Sequence, residues 1–312
     1  MTGSRIVSLG HYQPAKIVSN EDLTKTLDTN DEWIRSRVGI ETRRIAAADE
    51  TVAHMASAAA EKALANSGLT AADIDLVVVA TCSSIDRSPN VAARVARTLG
   101  IQAPAAYDIN TACSGFSYGL ATVDHAIRAG AARNAIVIGA EKLSDITDWT
   151  DRSTAVIFAD GAGAAVVTPS DEPGIGPVLW GSDPEKGDAV VIEGWQPYIE
   201  QAGQSVFRWA TFALPKLALE ACDRAGVKPS ELAAFVPHQA NLRIIEPLAR
   251  KLGAPQAVVA KDIVESGNTS AASIPLALSK LVERREIPSG APVLLFGFGG
   301  GLTYAGQVIR CP

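Results

Sequence analysis

The 312-residue chain contains the stretch Asp108-Ile109-Asn110-Thr111-Ala112-Cys113-Ser114-Gly115, around which we interpret the rest of the sequence. Apolar residues at helical spacing follow it, from Phe116 to Ile127. Small residues and a serine before such a run are typical of a turn from a strand into a helix. We expect Cys113 in the first helical turn, where unpaired N–H groups and the helix dipole help a thiol to lose its proton. A small buried structural cysteine is the alternative that this stretch leaves open.

Composition narrows the class of protein. With 312 residues, of which 47% are hydrophobic, the chain is long enough for about two domains and a large core. Its four cysteines are scattered without a CxxC pair, which argues against a zinc site and fits a reducing cytoplasm. The net charge of −6 argues against general nucleic-acid binding. The sequence has no apolar run of membrane-spanning length and no secretion signal, so we expect a cytoplasmic location without membrane association.

The second half of the chain repeats the pattern of the first. Similar segments recur at an offset of 158 residues, with one pair at 153, and the pairs are 63–68 with 221–226, 136–139 with 294–297, and 96–100 with 249–253. A returning offset predicts two similar βα halves, which we place at 1–168 and 169–312 with the junction inside 168–207. Alternating strands and helices predict mostly parallel sheets covered by helices.

A duplicated α/β architecture brings the carboxyl ends of strands from both halves together, and binding sites form there. Cys113 follows a strand in the first half, and His238 follows the corresponding strand of the second half within a polar cluster. We expect Asn268 to take roughly the position of Cys113 in the second half, so that the three side chains converge. A helix cap near Ser270 is an equally good interpretation of Asn268 on local grounds. Gly300 lies in a glycine turn that is either plain or aims a backbone N–H at an oxyanion.

Longer motifs cover nearly the whole chain in a fixed order. They are Asp31-Glu32-Trp33-Ile34, Arg37-Val38-Gly39-Ile40, Ala112-Cys113-Ser114-Gly115, Asp160-Gly161-Ala162-Gly163-Ala164, His238-Gln239-Ala240-Asn241-Leu242-Arg243, Gly267-Asn268-Thr269-Ser270-Ala271-Ala272-Ser273 and Gly297-Phe298-Gly299-Gly300-Gly301. Together they resemble the thiolase superfamily, and specifically ketoacyl-acyl-carrier-protein synthase III. The resemblance implies an α/β thiolase-like fold with layers in the order α-β-α-β-α, and it implies a homodimer.

The resemblance also implies a two-step acyltransferase reaction that initiates fatty acid biosynthesis. Cys113 would attack an acyl-coenzyme A thioester, with the backbone N–H groups of Cys113 and Gly300 as the oxyanion hole. Malonyl-acyl-carrier protein would then lose carbon dioxide while His238 and Asn268 hydrogen-bond its thioester carbonyl. Attack of the carbanion on the acyl-cysteine would give a 3-oxoacyl-carrier protein. Coenzyme A enters as a substrate thioester, and no metal or redox cofactor is implied.

Binding residues follow from the same resemblance. Those implied for coenzyme A are Trp33 stacked on the adenine with Arg152 on its other face, Arg37 at the nucleotide, Asn241 at the pantetheine arm, and Gly203 and Phe207 along the tunnel. An acidic carrier protein needs local positive charge, and the candidate residues are Arg208, Arg243, Arg250 and Lys251. Partly buried packing for Trp33 and solvated charges for Arg152, Arg250 and Lys251 are the alternatives.

Two regions and three alternative functions stay open at this point. Residues 182–203 are shorter than in many proteins of this type, which leaves the covering of the tunnel undecided. The loop 84–90, expected at the acyl pocket together with a second subunit, has the small Ser88, which suggests room for a branched or longer starter. The alternatives are priming of a polyketide, acyl transfer to an alcohol or amine without condensation, and a non-enzymatic scaffold.

Overall fold

The structure is a computed structural model, and it describes residues 3–194 and 198–312. Strands lie throughout this part of the chain. In chain order they are β1 Gly3–Tyr12, β2 Ile17–Ser19, β3 Thr42–Arg44, β4 Leu76–Ala80, β5 Ala105–Ile109, β6 Ala135–Lys142, β7 Asp160–Ser170, β8 Leu179–Ser182, β9 Val190–Ile192, β10 Ile199–Gln201, β11 Ala234–Pro237, β12 Val258–Val259, β13 Pro292–Gly299 and β14 Thr303–Arg310.

Helices alternate with these strands, and single 3-10 turns connect several of them. In chain order the α-helices are α1 Asn20–Leu23, α2 Asp31–Val38, α3 Val52–Ala65, α4 Val91–Leu99, α5 Gly115–Arg128, α6 Arg152–Ala155, α7 Gly203–Phe212, α8 Leu214–Arg224, α9 Leu242–Leu252, α10 Ile263–Ser266 and α11 Ser273–Glu283. Capping explains several boundaries: Thr51 caps α3 from its side chain, and Gly100 and Gly253 end α4 and α9 in the left-handed conformation.

Two five-stranded sheets carry the fold, and they have the same strand order. The first sheet runs β5-β4-β6-β7-β1 and the second runs β12-β11-β13-β14-β8. In each sheet the first three of these strands are parallel and the last two join antiparallel. The sheets are therefore mixed, where the sequence predicted mostly parallel ones. The reason is clearest at β13 and β14, because only residues 300–302 connect them and a parallel crossover needs a dozen or more residues.

The layers follow the predicted α-β-α-β-α order. Helices α5 and α11 lie between the two sheets, where Phe116 and Leu120 of α5 share one apolar cluster with Ile274 and Leu278 of α11. Helices α3 and α4 cover the outer face of the first sheet, and α7, α8 and α9 cover that of the second. Burial of each large apolar side chain in such layers contributes about 2 kcal/mol. The duplicated α/β architecture predicted from the sequence is thus confirmed.

The division at residue 168 stays a prediction. Strand β7, which belongs to the first sheet, runs on to Ser170, two residues past the predicted end of the first half. In the described residues, no helix combines the length and the apolar character needed to cross a bilayer.

Candidate active site

Cys113 lies in a 3-10 turn, Ala112–Ser114, between the end of β5 and the start of α5. The expected first helical turn is therefore this tighter turn, and α5 itself begins two residues later. Ala112 adopts φ 45°, a left-handed conformation that is uncommon for a residue with a side chain. A Cβ at Gly299, the last residue of β13, would lie 2.5 Å from Cβ of Cys113. The close approach of Cys113 to the second sheet therefore requires a glycine at this position.

Burial raises the pKa of the Cys113 thiol to about 11. The nearby hydroxyl of Ser270 and the backbone N–H groups of Gly300 and Cys113 lower this pKa, but burial outweighs them. Burial thus outweighs the easier proton loss that the sequence predicted at the start of a helix, because the sulfur is removed from water. The two N–H groups that lower the pKa are the pair predicted for the oxyanion hole.

His238 directly follows β11 and is 1% exposed. Its Nδ1 lies 2.7 Å from Oγ of Ser273, and its ring meets the edge of Phe298 at a centroid distance of 5.3 Å. Burial lowers the pKa of the imidazole to about 3. His238 is therefore neutral at physiological pH and has one N–H to donate.

Asn268 is 5% exposed. It is both a cap and a residue of the site, which are the two interpretations that the sequence left open. Its side-chain oxygen accepts a hydrogen bond from the backbone N–H of Ser270, which caps the following turn. Asn110 makes the same contact to Ala112 in the first half, 158 residues earlier. Asn268 is therefore the counterpart of Asn110, and the expected equivalence with Cys113 is wrong, because the offset of 158 pairs Cys113 with Ala271.

One cavity of about 740 Å³ joins these residues. Cys113, His238, Asn268 and Gly300 all line it, so the side chains from the two halves meet as predicted. The asparagine carbonyl is already used in the cap, which leaves its NH2 group to donate. The site offers a sulfur, two side-chain N–H donors and two backbone N–H donors around one space, which suits reactions of a thioester.

The cavity is apolar near Cys113. The side chains that make this part are Cys82, Leu143, Phe158, Val190, Ile192 and Ile199, which also pack on one another. Three of them come from β9 and β10, so the short 182–203 region does cover the cavity, although residues 195–197 lie outside the described part. The loop 84–90 does not line the cavity in the single chain, and within it Asp86 pairs with Arg94 at 2.9 Å.

Trp33 and Arg37 line the outer end of the same cavity. The guanidinium of Arg152 stacks on the Trp33 ring at 4.8 Å and donates to the backbone oxygen of Asp28 at 2.7 Å. The guanidinium of Arg37 lies 5.8 Å from the same ring. The stack of Trp33 and Arg152 has no adenine-sized gap, so a base between them requires the arginine to move.

The other residues predicted along the tunnel also line the cavity, namely Asn241, Gly203 and Phe207. Asn241 caps α9, where its oxygen accepts from the N–H of Arg243 and its NH2 group donates to the backbone oxygen of Arg37. Gly203 begins α7, and a side chain there would start in open space, because a Cβ at this position would meet nothing within 4 Å.

The four basic residues predicted for a carrier protein are all exposed, namely Arg208, Arg243, Arg250 and Lys251. Arg208 and Arg243 also line the cavity, and the guanidinium of Arg243 lies 5.4 Å from the Phe207 ring. Lys251 donates to the backbone oxygen of Thr211 and lies 5.9 Å from the ring of Phe212, which is 77% exposed. Positive charge and an exposed aromatic ring thus occur together on α7 and α9, the two helices whose Arg208 and Arg243 line the cavity.

Sequence reasoning missed the polar side chains behind the reacting groups. Ser270 and Ser273 belong to a motif that gave them no role of their own, and Cys82 stood out only as one of four scattered cysteines. Glu141, at 0% exposure, was missed altogether. The available signal was a carboxylate within a run of buried strand residues, which needs an explanation wherever it occurs.

Comparisons with known proteins agree with this site. Family models described as 3-oxoacyl-[acyl-carrier-protein] synthase III and as its C-terminal part match residues 107–184 and 222–311. The chain is 66% identical to beta-ketoacyl-[acyl-carrier-protein] synthase III 4 of Streptomyces coelicolor, with 99% of each chain covered. It is 67% identical to beta-ketoacyl-[acyl-carrier-protein] synthase III 2 of Streptomyces avermitilis over all of both chains.

Solved structures agree as well. The priming beta-ketosynthase of the R1128 polyketide pathway superposes with a TM-score of 0.97 at 42% identity, covering 99% of this chain and 96% of that one. The synthase III of Aquifex aeolicus gives 0.94 at 40% identity, covering 99% and 100%. With these relatives and the cysteine, histidine and asparagine in one cavity, the chain belongs to the 3-oxoacyl-[acyl-carrier-protein] synthase III family of acyl-transferring condensing enzymes.

Proposed function

We propose that this enzyme joins an acyl group from acyl-coenzyme A to malonyl-acyl-carrier protein and so initiates fatty acid biosynthesis. The observation that carries the proposal is the single cavity that runs from Trp33 to Cys113 and ends in an apolar chamber. In the first step Cys113 attacks the thioester carbonyl, the acyl group moves to sulfur, and coenzyme A leaves. The N–H groups of Cys113 and Gly300 stabilise the oxyanion, which is supported by their lowering effect on the pKa of the Cys113 thiol.

In the second step, malonyl-acyl-carrier protein enters the same cavity. Nε2 of His238 and the NH2 group of Asn268 donate to its thioester carbonyl and stabilise the enolate left by loss of carbon dioxide. The neutral state of His238 suits this role, because a neutral donor binds a developing enolate without having to lose a charge. The enolate carbon then attacks the acyl-cysteine, and Cys113 leaves as the 3-oxoacyl-carrier protein forms.

Different groups of residues recognise coenzyme A and the carrier protein. Trp33, Arg37 and Arg152 hold the nucleotide of coenzyme A, and Asn241, Gly203 and Phe207 border the pantetheine arm. Arg208, Arg243, Arg250 and Lys251 dock the acidic carrier protein. We further propose that the enzyme is a cytoplasmic homodimer and that acyl-coenzyme A serves as a substrate, without a metal or redox cofactor.

A second candidate function is the priming of a polyketide. It is favoured by the priming ketosynthase of the R1128 pathway, which matches this chain closely in structure. The chemistry at Cys113 is the same, and only the starter and the carrier protein differ. Acyl transfer without condensation is disfavoured, because it has no use for the donors His238 and Asn268.

The test is a condensation assay with a panel of straight and branched acyl-coenzyme A compounds. Each is mixed with the enzyme and with malonyl-carrier protein of either fatty acid or polyketide origin. We expect the 3-oxoacyl product, identified by mass on the carrier protein of the fatty acid pathway. Faster turnover with the polyketide carrier would establish the second candidate, and no product with either would contradict both.

A further inference from the structure

Arg43 is a fully buried cation on β3, and the two-step mechanism does not use it. Its Nη1 donates to the side-chain oxygen of Asn20 at 2.8 Å, and its Nη2 donates to the backbone oxygen of Val156 at 2.9 Å. Within residues 3–194 and 198–312, Nε has no hydrogen-bond partner and no carboxylate pairs with the guanidinium. A buried cation without an anion normally costs stability, so its presence here needs a reason.

Asn20 holds one end of the guanidinium in a fixed place. Its side-chain NH2 group donates to the backbone oxygen of Ile40 and to the carboxylate of Asp31, both at 2.8 Å. The Asn20 oxygen is therefore turned towards Arg43, and the guanidinium has little freedom to rotate. Because the guanidinium is planar and rigid, a fixed Nη1 also fixes the direction in which Nη2 meets Val156.

Val156 begins a short segment that holds the backbone of Asn268. The N–H of Asn268 donates to the backbone oxygen of Ile157 at 3.0 Å, and the N–H of Ala159 donates to the backbone oxygen of Asn268 at 2.9 Å. Phe158 and Asn268 thus form a parallel bridge outside the two large sheets. The position of Asn268 in the cavity therefore depends on where the segment 156–159 lies.

β3 also contacts the chain just before Asn268. A Cβ at Gly267, which has φ 70°, would lie 3.1 Å from Cβ of Arg43, so the arginine stem lies directly against this glycine. The hydroxyl of Thr42 donates to the backbone oxygen of Glu265 at 2.8 Å. Both segments that meet at the Asn268 bridge are therefore tied to the same short strand.

We propose that β3 positions Asn268 for the second half-reaction, chiefly through Arg43. The stem of Arg43 lies against Gly267 while its guanidinium holds the Val156 oxygen, so one side chain sets the spacing of the two segments. The side-chain oxygen of Asn268 is bound to the N–H of Ser270, and a shift of the backbone therefore redirects the NH2 group that donates to the enolate. This role rests on the proposed function, because it concerns the enolate step.

A rigid fork with two separated donors suits this task. Lysine carries one compact ammonium group, which cannot reach Asn20 and Val156 in the same way, and an apolar side chain of similar size has no donor. Arg43→Lys therefore keeps the charge and most of the volume but loses one of the two contacts. This substitution tests positioning with little disturbance of packing.

The experiment measures carbon dioxide release from malonyl-carrier protein and, separately, acyl-enzyme formation from acyl-coenzyme A. We expect Arg43→Lys to lower carbon dioxide release about tenfold, because a misplaced donor stabilises the enolate less, and to leave acylation of Cys113 unchanged. The matched control is Arg44→Lys, which should change neither step. Arg44 is the next residue of β3, its side chain lies on the opposite face, and it donates to the backbone oxygens of Pro14 and Ala15.

A double variant separates positioning from a general loss of order. When Asn268→Ala is already present, Arg43→Lys should lower carbon dioxide release no further, because the group that Arg43 positions is gone. A second loss of about tenfold in that background, an equal loss of acylation, or full activity of Arg43→Lys would overturn the proposal. Full decarboxylation by Asn268→Ala alone would instead contradict the proposed function at this step, and this proposal with it.

Thr42→Val keeps the test decisive if Arg43→Lys does not fold, which circular dichroism would show. Valine preserves the shape of threonine and suits a strand, but it removes the hydrogen bond to Glu265. We expect carbon dioxide release to fall about threefold in this variant, with acylation unchanged and with no further loss in the Asn268→Ala background. An unimpaired Thr42→Val enzyme, or one that loses both steps equally, would overturn the proposal.

Discussion

The hydroxyl oxygen of Ser273 lies 2.7 Å from Nδ1 of His238. The same oxygen accepts the backbone N–H of Gln239 at 3.3 Å, which holds the hydroxyl beside the imidazole, and we assign the serine proton to the hydrogen bond with Nδ1. Nδ1 is then the acceptor and Nε2 carries the hydrogen, because the partner of one ring nitrogen fixes the state of the other. The serine at the start of α11 thus presents the N–H of His238 to the cavity.

Removal of this serine should affect the second half-reaction selectively. We expect Ser273→Ala to lower malonyl decarboxylation about tenfold, because loss of one hydrogen bond of about 1.4 kcal/mol frees the ring to adopt the other tautomer. Acylation of Cys113 should change little. The matched control is Ser279→Ala, because Ser279 is also buried on α11 and lies 2.8 Å from Nδ1 of a different histidine, His11. Equal losses in the two variants, measured as carbon dioxide release, would contradict the role of Ser273.

Gly299 should be indispensable for the reactivity of Cys113. A Cβ there would lie 2.5 Å from Cβ and 3.0 Å from the sulfur of Cys113, so Gly299→Ala must displace the nucleophile. We expect acylation to slow by about 100-fold, since displacements of about 1 Å have effects of this size. Gly187→Ala is the control, because the nearest atom to its Cβ is 3.6 Å away. Burst kinetics with acyl-coenzyme A measure both, and an unimpaired Gly299→Ala enzyme would show that the turn adapts.

Charge reversal at Arg243 should weaken the carrier protein more than acyl-coenzyme A. We expect Arg243→Glu to raise the KM for malonyl-carrier protein about tenfold at low salt, with a smaller effect at high salt. Arg133→Glu is the control, because Arg133 is exposed and lies just before β6, at the end of the sheet opposite to Cys113. An unchanged KM would remove Arg243 from the docking surface. An equal rise for acyl-coenzyme A would instead assign Arg243 to the tunnel that it lines.

Stability should fall in mild acid because folding keeps some histidines neutral. The pKa of His11 is lowered to about 4, first by burial and then by Lys62, so the unfolded chain binds a proton that the folded chain does not. Between pH 6.5 and about pH 4 the folded state therefore loses stability as pH falls, by about 2 kcal/mol for His11 from pH 7 to pH 5. We expect the free energy of unfolding, measured in urea, to fall by about 2 kcal/mol less for His11→Asn than for the wild type over this pH range. The wild type and the variant share the other groups with shifted pKa values, namely His238, Glu141 and Asp160. Identical losses of stability in the two proteins would therefore contradict the assignment to His11.

Much of the architecture could be predicted from the sequence, because the internal repeat and the spacing of apolar residues depend on the arrangement of strands and helices. The offset of 158 residues indicated the two halves, and the ends of corresponding strands located Cys113 and His238. Hydrogen bonds between distant segments could not be predicted, because they depend on how these segments pack against one another. Cys82 and Glu141 are 59 residues apart in number, and the hydrogen bond between the thiol and the carboxylate depends on how the segment after β4 lies beside β6.

The pKa of Cys113 and the stacking of Trp33 with Arg152 could not be predicted from the sequence either. The place of Cys113 before a helix suggested easy ionisation, but its burial raises the thiol pKa to about 11. Local sequence likewise presented Trp33 and Arg152 as separate residues, whereas the folded chain stacks them at 4.8 Å. The burial of Cys113 decides its pKa, and the packing of the folded chain decides the stacking of Trp33 and Arg152. Residue type alone decides neither.

Cys113 should serve one half-reaction, and His238 and Asn268 should serve the other. We expect Cys113→Ala to lose acyl transfer and to keep malonyl decarboxylation. We expect His238→Ala and Asn268→Ala to lose decarboxylation by about 100- to 1,000-fold while Cys113 is still acylated, because each removes one donor to the enolate. Carbon dioxide release and acyl-enzyme formation measure the two steps separately. Equal loss of both steps in all three variants would refute this division.

The most direct test is the intact mass of the enzyme after incubation with a panel of acyl-coenzyme A compounds, followed by addition of malonyl-carrier protein. We expect one acyl group per chain on Cys113, and none in Cys113→Ala. We expect this group to be discharged as 3-oxoacyl-carrier protein when the second substrate is added, which is the proposed function. An enzyme that stays unmodified with every compound, or that is acylated equally after Cys113→Ala, would contradict it.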